Sequence, residues 1–289
     1  MITIFFFGNC QLSALKLKLN LDKKIYKIYS ETCHYTKKDK NNFTNIIKKS
    51  DIIITQNISD NYRNVDYLNL NYILNYSQNK IIIIIPSCYF DFYYPDLKYI
   101  KKEDGNKLSE PIDYHYQYMI NNYKNNDSID NYIKNYVNNI DLISKEILLK
   151  KANDSIRELK IRTKKLKKEL SIKKQEKNII IDNIHIICIS KFIKKNYKDK
   201  LLFYSMNHPS KYIFNFISTK IIKLLNIKDT IKYKKEVLNG TKCILYKCIQ
   251  PLVNFDISKE EIKTKNLKDI YLITKLYHNT YNKLQLEIS

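Results

Sequence analysis

The chain of 289 residues contains few residues that interrupt regular backbone structure: 3 glycines and 5 prolines, with no tryptophan. Each glycine or proline therefore marks a position where the backbone turns sharply or packs closely. No stretch rich in proline or serine separates two halves of the chain. Hydrophobic residues make up 44% of the composition, which is typical of a globular protein and not of a disordered one.

Long apolar segments are also missing. The longest purely aliphatic run is Ile81–Ile85, far short of the roughly 20 residues that cross a bilayer. The apolar N-terminus has no basic region before it, unlike a secretory signal peptide. We therefore expect a cytoplasmic protein without a membrane span, in which the cysteines stay reduced. The six cysteines, at positions 10, 33, 88, 188, 243 and 248, form no CxxC pair, and no metal is expected.

Arginine is scarce in a strongly basic chain. The net charge is +22, from 51 Lys+Arg against 29 Asp+Glu, yet the arginines are Arg63, Arg157 and Arg162 alone. Nucleic-acid interfaces favour arginine, because its planar guanidinium matches phosphates and guanine edges. The excess charge therefore favours solvated lysines, with an anionic substrate or cofactor as a further use for some of them. A basic protein that binds nucleic acid or a partner without catalysis is the alternative function.

Several common site motifs are absent. The sequence has no GxGxxG, GxxxxGK[ST], HExxH or DxDxDG pattern. This excludes the usual dinucleotide fingerprint, the P-loop, the zincin helix and the EF-hand loop.

The first hundred residues alternate between strand-like and helix-like patterns. Residues 2–7 form a continuous apolar run closed by Gly8, which is typical of a strand buried on both faces of a parallel sheet. Further strands are predicted at residues 25–29, 51–55 and 80–85, and helices at residues 12–19, 43–49 and 65–76. This alternation predicts βαβ units with right-handed crossovers. The predicted fold is an α/β three-layer sandwich with a mainly parallel sheet.

Residues 112–178 lack a strand signal and carry charged and apolar residues at helical spacing. We expect a long helical insertion between a first part of the α/β domain, residues 1–111, and a second part, residues 179–289. The alternatives for this insertion are a solvated arm without chemistry, a lid, and a coiled coil that forms a homo-oligomer. The second part is predicted to contain strands at residues 179–189, 201–205 and 243–248, and helices at residues 190–197, 212–225 and 260–284.

Polar residues follow four of the predicted strands. In open α/β sheets, ligands bind beyond the carboxyl ends of the strands. If all four strands are parallel members of one sheet, their polar ends share one edge. The four ends are Gly8-Asn9-Cys10-Gln11, Gln56-Asn57, Ser87-Cys88 and Asn207-His208-Pro209.

Cys10 is the first candidate catalytic residue, because it lies between a buried strand and the start of a helix. Backbone N–H groups and the helix dipole at such a position favour a thiolate. Gly8 permits a sharp turn and the close approach of a ligand. Asn9 and Gln11 supply amide groups for a developing oxyanion. The alternative is a small buried thiol that packs the turn.

His208 is the second candidate, as a general base toward a thiol or a sugar hydroxyl. The alternative is a structural histidine near the start of a helix. The side-chain amide of Gln56 is expected to orient the substrate. The alternative is that Gln56 is part of an ordinary loop. His115, expected on a helix surface, is a weaker candidate. The aromatic segment at residues 89–94 would form a wall for sugar stacking or fill the core.

These segments together resemble the WcbI-type family of capsular polysaccharide biosynthesis over about residues 1–225. The resemblance rests on GNCQ at residues 8–11, DIIITQ at residues 51–56, Pro86 with the aromatic stretch to Pro95-Asp96, and NHP at residues 207–209. It implies an SGNH-hydrolase-like fold, coenzyme A or acetyl-CoA as substrate, and acyl transfer to a sugar or polysaccharide precursor. An SGNH-like acyl esterase is the alternative within this class.

The resemblance also implies roles for single residues. Cys10 stands where the SGNH pattern has its serine, and Ser205 stands where that pattern has the aspartate three residues before its histidine. A Cys10/His208 pair without a complete triad is therefore expected. The remaining polar residues of the strand ends are expected to hold the coenzyme A: Gly8, Asn9, Gln11, Gln56, Ser87 and Asn207.

Overall fold

The computed structural model of the chain describes residues 1–37, 39–102, 107–177, 183–227 and 236–284. The chain divides into two compact units. Unit 1 comprises Met1–Cys88, Ile156–Lys194 and Lys211–Val237, and unit 2 comprises Tyr89–Ser155, Lys195–Ser210 and Leu238–Ser289. The predicted insertion thus contributes residues up to Ser155 to unit 2 and residues from Ile156 onward to unit 1. Its boundaries stay a prediction.

Strands and helices alternate along the first part of the chain, and the rest of the chain is mainly helical. The strands are β1 (Ile2–Gly8), β2 (Tyr26–Thr32), β3 (Ile52–Gln56), β4 (Ile81–Ile85), β5 (Leu97–Lys98), β6 (His115–Tyr116), β7 (Ile184–Ile186), β8 (Phe203–Ser205) and β9 (His208–Pro209). The helices are α1 (Cys10–Leu19), α2 (Lys40–Lys49), α3 (Leu70–Tyr76), α4 (Gln117–Lys124), α5 (Ile129–Tyr132), α6 (Lys145–Lys177), α7 (Ser190–Asn196), α8 (Lys211–Leu224) and α9 (Ile270–Lys283).

Unit 1 is built on a five-stranded sheet in the order β2-β1-β3-β4-β7. All four pairings are parallel, which confirms the predicted α/β fold with a parallel sheet. Its first four strands are those predicted from the apolar runs. The fifth, β7, falls inside the segment predicted at residues 179–189, whose first four residues lie outside the described ranges.

The three central strands of the sheet in unit 1, β1, β3 and β4, are buried on both faces, whereas the edge strands β2 and β7 are half-buried. Ile4, Phe5, Phe6 and Phe7 alternate between the faces of β1, and each is 0% exposed. Phe5 and Phe7 pack in one cluster with residues of α2 and α3. In the same way, strands β4 and β7 pack against the leucines of α6. Helix α1 contacts both β1 and α8. Such two-sided burial explains why β1, β3 and β4 consist mostly of apolar residues.

The strand before His208 does not join the parallel sheet. Strand β8 pairs antiparallel with β9, with Ser205 opposite His208, and forms a two-stranded hairpin in unit 2. The expectation that four parallel strand ends share one sheet edge is therefore wrong for this segment. A short apolar strand signals burial but carries no information about its pairing partner.

Two helices begin later than the sequence predicts. The helix predicted at residues 65–76 begins only at Leu70, where the Asn69 side chain accepts a hydrogen bond from the backbone N–H of Tyr72. A 3₁₀ turn covers Tyr62–Asn64 before it. The predicted final helix begins at Ile270. There the Asp269 side chain accepts a hydrogen bond from the backbone N–H of Leu272.

Unit 2 differs more from the prediction. His115 lies in strand β6 and is 0% exposed, so it is neither helical nor on a surface. The strand also contradicts the expectation that residues 112–178 contain none. The strand predicted at residues 243–248 is absent, and a 3₁₀ turn begins there at Lys247. Within the described ranges, no helix is both long and apolar enough to cross a membrane.

The aromatic segment at residues 89–94 fills the core of unit 2. Phe90, Phe92, Tyr93 and Tyr94 are at most 2% exposed. The hydroxyl of Tyr93 donates to the backbone oxygen of Tyr197 at 2.6 Å. Of the two interpretations of this segment, core packing is the correct one for these four rings, because they are covered by protein, whereas Tyr89 is half-buried.

Candidate active site

Cys10 is the first residue of α1 and follows directly on the turn after β1. Asn9 caps the helix: its Oδ1 accepts a hydrogen bond from the backbone N–H of Gln11 at 2.9 Å. The backbone oxygen of Asn9 accepts another from the N–H of Leu12 at 2.9 Å. Asparagine is among the best N-cap residues, so the local sequence fixes where the helix begins. We call residues 8–11 the Cys10 turn.

Gln56, the last residue of β3, holds the Cys10 turn from the neighbouring strand. Its Oε1 accepts a hydrogen bond from the backbone N–H of Asn9 at 2.8 Å, and its side chain is buried. A Cβ atom on Gly8 would lie 2.6 Å from this Oε1 and 2.8 Å from Cγ of Leu12. Glycine is thus needed for the close approach of Gln56, whereas the sequence predicted the close approach of a ligand.

Gln11 joins the turn to the chain that follows β4. Its Nε2 donates to the backbone oxygen of Cys88 at 2.8 Å, and its Oε1 accepts from the backbone N–H of Cys88 at 2.9 Å. Nε2 of Gln56 lies 3.4 Å from the same Oε1. The ends of three adjacent strands are therefore cross-linked by two buried glutamine side chains. Ser87, next to Cys88, is exposed.

The Cys10 thiol is half-buried and takes no part in a disulfide. Three nearby backbone N–H groups are already used: that of Asn9 by Gln56, and those of Gln11 and Leu12 by Asn9. These three N–H groups are therefore engaged within the turn, and the role of the Asn9 and Gln11 side-chain amides toward an oxyanion stays a prediction. Because Oδ1 of Asn9 is committed to the helix, Nδ2 is the end of this side chain that can donate to a ligand.

Most other cysteines are buried. Burial raises the pKa of Cys33 and of Cys88, that of Cys243 to about 12 and that of Cys248 to about 11. These thiols stay protonated near neutral pH and have little nucleophilic character.

Cys188 is a second half-buried thiol, which the sequence analysis did not single out. Burial raises its pKa, but the hydroxyl and backbone N–H of Ser190, the Thr163 hydroxyl and the charge of Lys167 outweigh burial and lower it. Its Sγ lies 3.2 Å from the Ser190 Oγ. The available sequence signal was a cysteine two residues before the first residue of α7.

His208 lies in the hairpin of unit 2, where the ring of Tyr114 meets its imidazole edge-on at 5.4 Å. Burial lowers the pKa of His208 to about 4, with the Asp113 carboxylate opposing this and Lys107 adding to it. The imidazole is therefore neutral near pH 7 and able to accept a proton. Its Nδ1 is buried and has no hydrogen-bond partner among the described residues.

Asn207 is held between two tyrosines beside His208. The Tyr114 hydroxyl donates to its Oδ1 at 2.5 Å, and its Nδ2 donates to the Tyr99 hydroxyl at 2.8 Å. Asp113, which acts on His208 through its charge, also binds the Lys107 ammonium at 2.6 Å. Tyr99, Tyr114 and Asp113 were not among the predicted site residues, since no spacing links them to residue 208.

The structure groups the predicted site residues by unit. Gly8, Asn9, Gln11 and Gln56 surround Cys10 in unit 1, and Ser87 lies in the same unit. Asn207 and His208 belong to unit 2. That Cys10 and His208 act together stays a prediction. Among the described residues, no group of three or more His, Cys, Asp or Glu side chains forms a metal site.

The sequence model of a family described as the polysaccharide biosynthesis enzyme WcbI matches residues 3–176. This range is more than half of the chain and includes the Cys10 turn, Gln56 and Cys88. The chain belongs to the WcbI family. The predicted resemblance is thereby confirmed, and the family is one of polysaccharide biosynthesis enzymes. His208 lies beyond the matched residues.

A solved structure of WcbI, described as a novel polysaccharide biosynthesis enzyme, has a similar fold, with a TM-score of 0.77 and 17% identity. The similarity covers 98% of this chain and 90% of that chain. That structure is the native protein without a disulfide bond between coenzyme A and one of its cysteines. No curated protein matches the sequence.

Proposed function

We propose that this WcbI-family protein is a coenzyme A-dependent acyltransferase of surface polysaccharide biosynthesis, which transfers an acyl group such as acetyl to a sugar hydroxyl. One observation carries the proposal. The strand order β2-β1-β3-β4-β7 reverses between β1 and β3, and the Cys10 turn and Gln56 follow these two strands. In open α/β sheets this reversal point is where ligands bind.

The choice of coenzyme A rests on the solved structure, which is native WcbI without a disulfide bond between coenzyme A and one of its cysteines. We infer from this that a cysteine of WcbI lies beside bound coenzyme A. In this chain we assign that role to Cys10. It is the cysteine at the reversal point of the strand order, whereas Cys188 follows the edge strand β7. The reduced thiols and an acyl-CoA donor both suit the cytoplasm.

The chemistry takes two steps. The Cys10 thiolate attacks the thioester carbonyl, the bond from that carbon to the coenzyme A sulfur breaks, and coenzyme A leaves as a thiolate, which takes up a proton from water. A sugar hydroxyl then attacks the acyl group on Cys10, the C–S bond breaks, and the hydroxyl proton passes to the neutral imidazole of His208. Nδ2 of Asn9 donates to the oxyanion in both steps.

An SGNH-like arrangement is part of the proposal. Cys10 takes the place of the serine after the first strand. The position of the expected aspartate is Ser205, whose hydroxyl contacts Asn207 at 3.5 Å. Asp113 provides a negative charge near His208 in place of the aspartate of the SGNH pattern. In this arrangement Asp113 stabilises the imidazolium that forms when His208 takes the proton.

The experiment is acetyl-CoA turnover, followed by chromatography of released coenzyme A with and without an acceptor glycan from a capsule preparation. We expect release to depend on the glycan, and to fall at least a hundredfold in Cys10→Ala but not in Cys188→Ala. Acid quenching of the wild type should trap an acyl group on Cys10. Release that is equally fast without glycan would mean hydrolysis, and full activity of Cys10→Ala would remove the nucleophile from the proposal.

A further inference from the structure

Helix α6 lines a groove at the carboxyl ends of the strands of unit 1. One cavity of about 500 Å³ is lined by residues that follow β3, β4 and β7 and by side chains of α6. A second cavity, of about 290 Å³, adjoins it, since both are lined by Asn57, Leu166 and Glu169. We call the two together the α6 groove. Their volumes fall in the range of small-molecule sites.

The charges of the groove are balanced and regularly spaced. Glu158, Arg162, Lys165 and Glu169 share one face of α6 and line the first cavity. Nε of Arg162 lies 2.7 Å from Oε1 of Glu158, and Nζ of Lys165 lies 3.9 Å from Oε1 of Glu169. Because each positive group is next to a negative one, the groove attracts neither a polyanion nor a polycation.

Polar groups that bind hydroxyls continue into the second cavity. There Nδ2 of Asn71 donates to both carboxylate oxygens of Asp60 at 2.9 Å, and Lys173 contacts Oδ1 of Asn71. Ser87 adds a hydroxyl at the other end. Carboxylate, amide, hydroxyl and guanidinium groups can each donate to or accept from neighbouring sugar hydroxyls.

Apolar side chains between these groups suit the flat faces of sugar rings. Pro86 and Ile161 line the first cavity, and Ile161 is 48% exposed. The groove follows α6 from Glu158 to Lys173, which at 1.5 Å per residue is about 22 Å. This length accommodates several sugar rings in a row.

Another cavity of unit 1 has the opposite character. Its volume is about 880 Å³, and Lys167, Lys220 and Lys223 line it without any carboxylate among its described lining residues. The phosphates of coenzyme A suit such lysines. In the α6 groove they would meet Glu158, Glu169 and Asp60, which makes the groove a poor site for the donor.

The groove begins close to the Cys10 turn. Ser87 lines it, and the adjacent Cys88 has both its backbone groups bound by Gln11. Gln11 is the next residue after Cys10. A glycan in the groove would therefore reach the strand ends that carry the thiol.

We propose that the α6 groove binds the acceptor as a neutral oligosaccharide chain, with a hydroxyl presented to the acyl group on Cys10. This inference rests on the proposed function for its substrate class. It also assigns a role in substrate recognition to the charged helix α6. A solvated arm without chemistry was one interpretation of this helix.

The test is a glycan array carrying neutral and acidic bacterial oligosaccharides, with isothermal titration of coenzyme A in parallel. The proteins are the wild type, Glu158→Gln/Glu169→Gln, and the control Glu146→Gln, whose exposed carboxylate lies on α6 outside the groove. The exchanged pairs are surface ion pairs, so the fold should tolerate the change. We expect neutral glycans to bind the wild type and the control, at least tenfold less binding to the double variant, and one coenzyme A affinity for all three.

Two results would overturn the inference: no binding of any neutral glycan, or equal glycan binding by the wild type and the double variant. A changed affinity for coenzyme A in the double variant would indicate that the groove binds the acyl donor and not the glycan. Failure of the proposed function looks different, because coenzyme A would then not bind the wild type while glycan binding would still depend on Glu158 and Glu169.

Discussion

The backbone N–H of Asn9 donates a hydrogen bond to Oε1 of Gln56 at 2.8 Å, and so joins the end of β1 to the end of β3. These are the strands between which the strand order reverses. The contact places the Cys10 turn at this point and fixes the first turn of α1. The candidate site is thus held by buried amide groups more than by charges.

Replacing Gly8 by alanine should disturb this contact. The new Cβ would lie 2.6 Å from Oε1 of Gln56, and Gln56 is buried, so the strand ends must shift. We expect Gly8→Ala to lower the free energy of unfolding by roughly 1–3 kcal/mol, measured by denaturant unfolding. Gly240→Ala is the matched control, because no atom lies within 4 Å of its added Cβ. Equal effects of the two substitutions would refute this role of Gly8.

Gln11→Met keeps the length of the side chain but removes both hydrogen bonds to Cys88. The backbone N–H and oxygen of Cys88 would be left unpaired in a buried place, which costs roughly 1–3 kcal/mol. Denaturant unfolding measures the loss. Gln78→Met is the control on an exposed glutamine. Wild-type stability of Gln11→Met would show that this link does not hold the strand ends together.

The stability should fall on acidification through two histidines. Burial lowers the pKa of His115 and of His208 to about 4, below the ordinary value of about 6.5. Above pH 6.5 neither the folded nor the unfolded chain is protonated there. Between about pH 6.5 and pH 4 only the unfolded chain takes up these protons, so the unfolding free energy drops by up to roughly 1.4 kcal/mol per pH unit for each histidine.

The contribution of His208 to this loss of stability is isolated by comparing the wild type with His208→Gln. Other titrating groups, such as Asp96 with its raised pKa of about 6, are common to both proteins. We expect the wild type to lose stability more steeply than the variant as the pH falls from 6.5 to 4. Parallel curves would mean that His208 titrates at its ordinary value.

Alkylation by iodoacetamide at neutral pH should separate the cysteines by environment. Cys10 and Cys188 are half-buried, whereas the other four are buried. We expect peptide mass spectrometry to find Cys10 labelled first and Cys188 second, and coenzyme A to slow the labelling of Cys10. In Cys188→Ser, the labelling rate of Cys10 should not change. Labelling of Cys188 ahead of Cys10 would count against an activated thiol at the start of α1.

Strands β1, β3 and β4 were predictable because each is a short apolar run that ends at a glycine, a glutamine or a proline, as at Gly8 and Gln56. The location of Cys10 at a helix start followed from the same pattern. The pairing of β8 with β9 was not predictable, since a strand of three residues, Phe203–Ser205, pairs equally well in either direction. The surroundings of His208 depend on Tyr114 and Asp113, which are distant in sequence and follow no periodicity.

The roles of Gln11 and Gln56 could not be predicted from the sequence either. Their amide groups looked like ligand donors at strand ends, and only the folded geometry shows that they bind Asn9 and Cys88. In the same way, the charged residues of α6 had helical spacing but no visible partner. The cavities that they line are formed partly with residues at the ends of β3 and β4, which are distant in sequence.

The most direct test of the central role of Cys10 is disulfide exchange with coenzyme A disulfide, read by intact-protein and peptide mass spectrometry. The Cys10 thiolate would attack one sulfur of the reagent, form a mixed disulfide and release one coenzyme A thiol. We expect a single coenzyme A adduct at Cys10, lost in Cys10→Ala and retained in Cys188→Ala. An adduct at Cys188 alone, or an unmodified Cys10 in the folded wild type, would contradict it.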